Sequence, residues 1–306
     1  MKKMKKSFSY LVQAGCNEKC LFCLNPWRET GGMSTLHFPQ QKKVVEKILA
    51  LRPKMLVFSG GEPLLDPSFP ELVVYARSID ASLPFSIQTN GTFLTQSIAE
   101  KLKQCSPLFL LISLHGPEEI HHKLTQSTMY QKAIEGIMHT CSAGIPVVVN
   151  IVVTKVNVAS LPSFLRTLEE LGISAVELSA LYAGGSALAH PEIQPSKKEL
   201  KSLLQELKNE HYCFPLVFHA FEKEVMEDTP FHTDSCGAGE AELAVFPNGD
   251  VTLCPAWDKS YGNLLHDAWD NIEENIAIGM RQEKSVFSSC HDCGGCALVK
   301  KKAGVV

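Results

Sequence analysis

A chain of 306 residues, 45% hydrophobic and 20% charged, has the volume for one full core plus a small appended module and the composition of a globular protein. A formal net charge of −4 without a long basic run gives no electrostatic footprint for nucleic acid, and no apolar stretch approaches a membrane span. The basic start Met1-Lys2-Lys3-Met4-Lys5-Lys6 leads into an apolar run too short for an export signal, so the eleven cysteines point to metal or redox chemistry in a reducing, anaerobic cytoplasm rather than to disulfides.

The first predicted element is a strand over residues 8–12. Directly behind it, Cys16-Asn17-Glu18-Lys19-Cys20-Leu21-Phe22-Cys23 sets three thiols at C-x3-C-x2-C spacing. Three thiolates on one short loop suit three irons of a cubic [4Fe–4S] cluster and leave the fourth iron open to an exogenous molecule. The alternatives are a zinc knuckle or three unrelated buried cysteines. Zinc asks for a fourth Cys or His at close spacing, and the nearest histidine, His37, lies beyond a Gly-Gly turn. Helical periodicity follows over 40–51, with Val44, Val45, Ile48 and Leu49 on one face, and a short strand over 55–58 ends at Gly60-Gly61-Glu62-Pro63.

Residues 69–76 read as a helix, 85–88 as a strand stopped by Asn90-Gly91, and 98–103 as a helix. A nearly all-apolar strand over 108–114 ends at Gly116-Pro117. Then come a helix over 131–143, a β-branched strand over 146–154, a helix over 161–171, a strand over 175–181 and a charged amphipathic helix over 197–209. Six strands alternating with helices imply parallel pairing with right-handed crossovers, and burial of the strands on both faces accounts for their lack of strict alternation. The array is either barrel-like or an open doubly wound sheet. In both, the loops after the C-terminal strand ends carry the site, and the cysteine loop, residues 60–63, 89–91, 113–116 and 181–185 all fall there.

The cysteine triad with an aromatic before its third member, followed by Gly60-Gly61-Glu62-Pro63, resembles the radical S-adenosylmethionine (SAM) superfamily from about residue 8 onward. The resemblance implies an α/β fold, a partial (β/α)6 TIM-like barrel over residues 1–225. It also implies that Cys16, Cys20 and Cys23 hold a [4Fe–4S] cluster whose open iron is chelated by SAM. One electron then releases methionine and a 5′-deoxyadenosyl radical. By the same resemblance the turn of Gly60, Gly61, Glu62 and Pro63 meets the methionine amino group, Phe22 approaches adenine, Leu181 covers it, and Thr89 and Ser113 contact SAM. Ser113-Leu114-His115-Gly116-Pro117 resembles a Ser-Leu-Asp-Gly turn of peptide-modifying members, with His115 in place of the acid. His121 and His122 are expected on a charged, solvated helix face. Asn150 and Lys155 either touch substrate or SAM, or serve as caps and solvated groups. Cys105, Cys141 and Cys213 are read as small apolar fillers.

From about residue 231 the chain changes character. Strands over 241–246 and 251–253 flank Pro247-Asn248-Gly249-Asp250, a hairpin with Cys236 and Cys254 at its outer ends, and Cys290-His291-Asp292-Cys293-Gly294-Gly295-Cys296 follows. Five thiols suit an iron–sulfur cluster or structural zinc. The pattern resembles the twitch and SPASM modules, which implies one auxiliary [4Fe–4S] cluster in a small cysteine-rich hairpin module over 226–306, held by four of Cys236, Cys254, Cys290, Cys293 and Cys296. The expected function is that of a radical SAM peptide or protein maturase. The alternatives are a small-molecule dehydrogenase or cofactor-biosynthesis enzyme, and a non-enzymatic zinc or cluster scaffold. The expected partners are a peptide or small-molecule substrate and an electron donor such as flavodoxin or ferredoxin, with no nucleic acid and no membrane. No catalytic acid or base stands out.

Overall fold

The computed structural model describes residues 6–25, 32–182, 184–227, 229–230, 232 and 237–282. Strand and helix alternate from the start: β1 (Ser7–Gln13), α1 (Phe38–Ala50), β2 (Leu56–Gly60), α2 (Phe69–Ile79), β3 (Phe85–Thr89), α3 (Gln96–Gln104) and β4 (Leu110–Ser113). Two helices, α4 (Glu118–Thr125) and α5 (Tyr130–Ser142), precede β5 (Val147–Val153). The series goes on with α6 (Leu161–Leu168), β6 (Ala175–Ala180), α7 (Lys197–Lys208) and β7 (Leu216–His219). Local chemistry sets several of these boundaries. The Thr95 hydroxyl caps α3 by accepting from the Ile98 N–H, and Ser196 with Glu199 closes a reciprocal capping box on α7.

The strands lie in the order β7-β6-β5-β4-β3-β2-β1, every neighbouring pair parallel. Sequential order without a reversal is the winding of a barrel; a doubly wound sheet would turn back at a switch point. All six expected strands are present. The seventh, β7, was not anticipated, because four residues between Pro215 and Ala220 carry too short a pattern to stand out from a loop.

The expectation of burial on both faces holds for β1, where Phe8 to Val12 are all buried, and is corrected for β5. Along β5, Val147, Val149, Ile151 and Val153 are buried, while Val148, Asn150 and Val152 between them are partly open. On the helix side, strand residues such as Phe58, Ile87, Ile112 and Leu178 pack with Val44, Leu72, Leu102, Ile137, Leu165 and Leu204 in one core. The other side faces the inside of an incomplete barrel, where among the described residues no second helix layer covers it, and Gln88 stands exposed in the middle of the sheet.

After the short helix α8 (Lys223–Met226) come β8 (Glu242–Val245), β9 (Val251–Thr252) and α9 (Trp269–Gln282). The expected hairpin is present as β8 and β9, paired antiparallel, and β8 lies parallel to β1, so the hairpin continues the barrel sheet. Trp269 of α9 packs its ring on Phe8 of β1 at 5.9 Å, and Leu243, Leu253, Ile272 and Ile276 belong to the same core as the barrel. Cys236, Cys290, Cys293 and Cys296 lie outside the described residues. Among those described, no helix is long and apolar enough to cross a membrane.

Candidate functional site

Cys16, Cys20 and Cys23 share the loop that leaves the C-terminal end of β1, and all three are half-exposed and outside any disulfide. Four other segments hold this loop, three by its backbone and one by side chains. From the turn after β2, the Gly61 and Glu62 N–H groups donate to the Gln13 and Gly15 carbonyls at 2.6 and 2.8 Å. From the end of α4, the Thr125 and Leu124 carbonyls accept from the Lys19 and Leu21 N–H groups, both at 2.9 Å. From the loop after β6, the Ser186 N–H donates to the Cys23 carbonyl at 2.9 Å. From the loop after β3, Asn90 donates to Asn17 at 2.8 Å, and Asn17 donates to the Thr92 hydroxyl at 3.0 Å.

The glycines of the β2 turn follow from this packing. A Cβ on Gly61 would stand 2.1 Å from the Gly15 carbonyl oxygen, so only glycine lets the two backbones touch. Gly185 meets the Cys23 carbonyl in the same way, with a left-handed φ of +56°.

Glu62 is fully buried beneath the turn. One carboxylate oxygen accepts from the Leu64 N–H at 3.0 Å and the Thr89 hydroxyl at 2.7 Å, and the other from the Asn90 N–H at 2.7 Å. Burial outweighs these three donors and raises its pKa to about 7. The Thr89 hydroxyl also accepts from the Gly91 N–H at 3.0 Å. Thr89, Asn90 and Glu62 are thus a buried polar knot joining the β2 and β3 loops, and Pro63 is buried beside it.

Phe22 and Leu181, the two residues expected at adenine, do come together. Phe22 packs with Leu21, Val152 and Val156 against Leu181, Ala187 and Ile193. Its ring meets His115 edge-on at 4.6 Å. His115 is buried, accepts from the Val152 N–H at Nδ1, and has a pKa held well below the imidazole range by desolvation first and by His121 second. Ser113 ends β4 on the barrel's inner side, level with Asn150 of β5. Lys155 is exposed, with its N–H donated to the Ile193 carbonyl.

Several expectations are revised. His121 is not on a solvated face: it is buried under the cysteine loop, its Nδ1 accepting from the His115 N–H at 3.2 Å and its Nε2 standing 3.9 Å from Glu18. The helix turns that side inward because its own carbonyls pin the loop above it. Cys213 is exposed and fills no core, whereas Cys105 and Cys141 sit in or against the core with thiol pKa values raised by burial. Glu18, buried between Cys16 and Cys20, carried no signal in the sequence, since a glutamate in a loop reads as solvated.

The donor set suits an iron–sulfur cluster. Among the described residues, no three Cys, His, Asp or Glu side chains converge as a single metal ion requires. In a cubane each thiolate takes its own iron, so three cysteines on one loop match three of its four irons.

The family model described as the radical SAM superfamily matches residues 10–168. The Fe-coproporphyrin III synthase of Methanosarcina barkeri is 24% identical, with 92% of this chain and 78% of that protein covered. The mycofactocin maturase MftC of Mycobacterium tuberculosis is 25% identical, with 95% and 78% covered. Among solved structures, SuiB of Streptococcus suis bound to its precursor peptide SuiA superposes with a TM-score of 0.74 at 15% identity, covering 98% of this chain and 73% of SuiB. At that identity the likeness speaks for the fold.

Proposed function

The chain belongs to the radical SAM superfamily, a family of enzymes built around a [4Fe–4S] cluster and SAM, and from that premise we propose that it is a maturase acting on a peptide. The observation that carries the site assignment is the cysteine loop clasped by the segments after β2, β3, β4 and β6. Cys16, Cys20 and Cys23 are the ligands in this reading, and the cluster with SAM at its open iron supplies a one-electron cleavage to methionine and a 5′-deoxyadenosyl radical that takes hydrogen from substrate. Around it, the 60–63 turn receives the methionine amino group, with Thr89 and Glu62 bracing that turn from below. Phe22 and Leu181 offer adenine an apolar face, backed by the neutral ring of His115. Ser113 contacts SAM from the inner side of β4.

Cys254 stands at the end of the β8–β9 hairpin, and four of the five thiolates of Cys236, Cys254, Cys290, Cys293 and Cys296 hold one auxiliary [4Fe–4S] cluster in this reading. A flavodoxin- or ferredoxin-type protein in a reducing cytoplasm is the electron donor in this reading.

Likeness to the mycofactocin maturase and to the fold of peptide-bound SuiB favours a peptide substrate. A second reading, a small-molecule enzyme of cofactor synthesis, is favoured by the likeness to the Fe-coproporphyrin III synthase. Anaerobically reconstituted protein with SAM and dithionite is expected to form 5′-deoxyadenosine, and the variant with Cys16, Cys20 and Cys23 all changed to Ala is expected to form none. Continued formation by the triple variant would remove the assignment of that loop. A mass change on a co-expressed peptide separates the first reading from the second, for which the change falls on a small molecule.

A further inference from the structure

The inner side of the barrel carries a second polar set that the cluster loop does not use. Ser113, Asn150 and Glu177 stand level with one another across β4, β5 and β6. The Asn150 amide donates to Glu177 Oε1 at 2.9 Å and to Ser179 Oγ at 2.8 Å, and the Ser179 hydroxyl donates to the same Oε1 at 3.2 Å. This closed ring fixes the direction of the carboxylate and fills one oxygen with two neutral donors. Among the described residues, Oε2 accepts no hydrogen bond and no ion pair involves Glu177. The wall continues into β7, where His219 is level with Ser179 and meets the Tyr182 hydroxyl at 3.3 Å.

A carboxylate drawn partly out of water, with only neutral donors among the described residues and one oxygen unmet, is best satisfied by a cationic donor. Its one free oxygen offers a single acceptor point. An ammonium, a compact charge with three rotatable donors, satisfies such a point, whereas a planar guanidinium is best met by two carboxylate oxygens at once.

We propose that Glu177, oriented by Asn150 and Ser179, determines specificity by anchoring a primary ammonium group of the substrate, on a lysine side chain or a free amino terminus. The nature of this ligand rests on the peptide-maturase reading; the geometry of the anchor does not depend on the cluster.

The test is equilibrium binding by calorimetry to the full-length, anaerobically reconstituted protein without reductant. The probes are acetyl-Gly-Gly-Lys-Gly-Gly-amide, its norleucine and arginine counterparts, and pentaglycine amide with a free or an acetylated amino terminus. The lysine peptide is expected to bind about tenfold tighter than the norleucine one, the worth of one charge-assisted hydrogen bond, with arginine gaining less. If the natural group is the amino terminus, the tenfold difference falls between free and acetylated pentaglycine instead. Glu177→Gln is expected to abolish the preference and Glu177→Asp, which draws the charge back by one methylene, to keep a reduced one. The proposal is overturned if wild-type protein shows no ammonium preference in either arm, or if Glu177→Gln retains it. It is equally overturned if Glu177→Gln weakens SAM binding instead, which would give the carboxylate to the cofactor. Failure of the radical reading shows separately, as absence of 5′-deoxyadenosine from reduced wild-type protein, and leaves the binding result to decide the anchor.

Discussion

Glu62 shows how a single side chain in this site differs from its appearance in the sequence. By resemblance Glu62 belongs to the turn that meets the methionine amino group; in the fold its side chain is a buried brace with three donors on its two oxygens. With a pKa of 4.5 when unfolded and about 7 when folded, the native state holds a proton across that interval that the unfolded chain has lost. Stability therefore falls as pH rises from about 4.5 through about 7, by about 3 kcal/mol for this one group, and is flat on either side. Urea denaturation over that range is expected to show the fall in wild-type protein and a shallower profile in Glu62→Gln, whose side chain does not titrate. Equal slopes in the two proteins would remove Glu62 as the source. His121 makes the same point from the other side: expected on a solvated helix face, it is buried next to the cysteine loop.

Among the elements, the cysteine loop has little structure of its own and takes its shape from the segments around it. Its contact with the β2 turn depends on Gly61, where any Cβ collides with the Gly15 carbonyl at 2.1 Å. Gly61→Ala is expected to destabilise the protein by about 3 kcal/mol or more, since backbone cannot yield as a side-chain end can. It is also expected to lower the iron bound per chain after anaerobic reconstitution. Gly172→Ala is the comparison: its Cβ meets nothing within 4 Å, and the left-handed φ of +70° alone costs about 1 kcal/mol, with iron binding retained. Iron content that is the same in both variants would show that the turn does not shape the loop. The glycine pair was legible in the sequence as a close approach of backbone, but its partner was not, because Gly15 lies 46 positions away and only the parallel pairing of β1 with β2 brings it there.

In the whole molecule, the hairpin and α9 are packed into the barrel. Strand β1, paired with β2 on one side, has β8 as its parallel neighbour on the other, and Leu243, Val245, Val251 and Ile272 complete the core beside Phe8 and Tyr10. A chain ending at residue 230 would leave β1 as a bare edge with its apolar residues in water. It is expected to lose the cooperative thermal transition and the near-ultraviolet circular dichroism of the full chain. A fragment that melts cooperatively at the full-length midpoint would show that the barrel closes its core without the hairpin.

By itself the sequence determined the strand–helix alternation, the six first strands, the hairpin and the grouping of the cysteines. Those features rest on local periodicity, turn residues and ligand spacing, all written in neighbouring positions. Tertiary structure alone decided that the strands wind in one direction, that β7 and β8 extend the sheet, and that Glu18, His115 and His121 lie buried against the cysteine loop. It also decided that Asn150, Ser179 and Glu177 close a ring on the inner wall. Register between strands far apart in the chain sets each of these, and no local pattern encodes it, because a polar residue in a strand looks the same whether it faces water or an enclosed site.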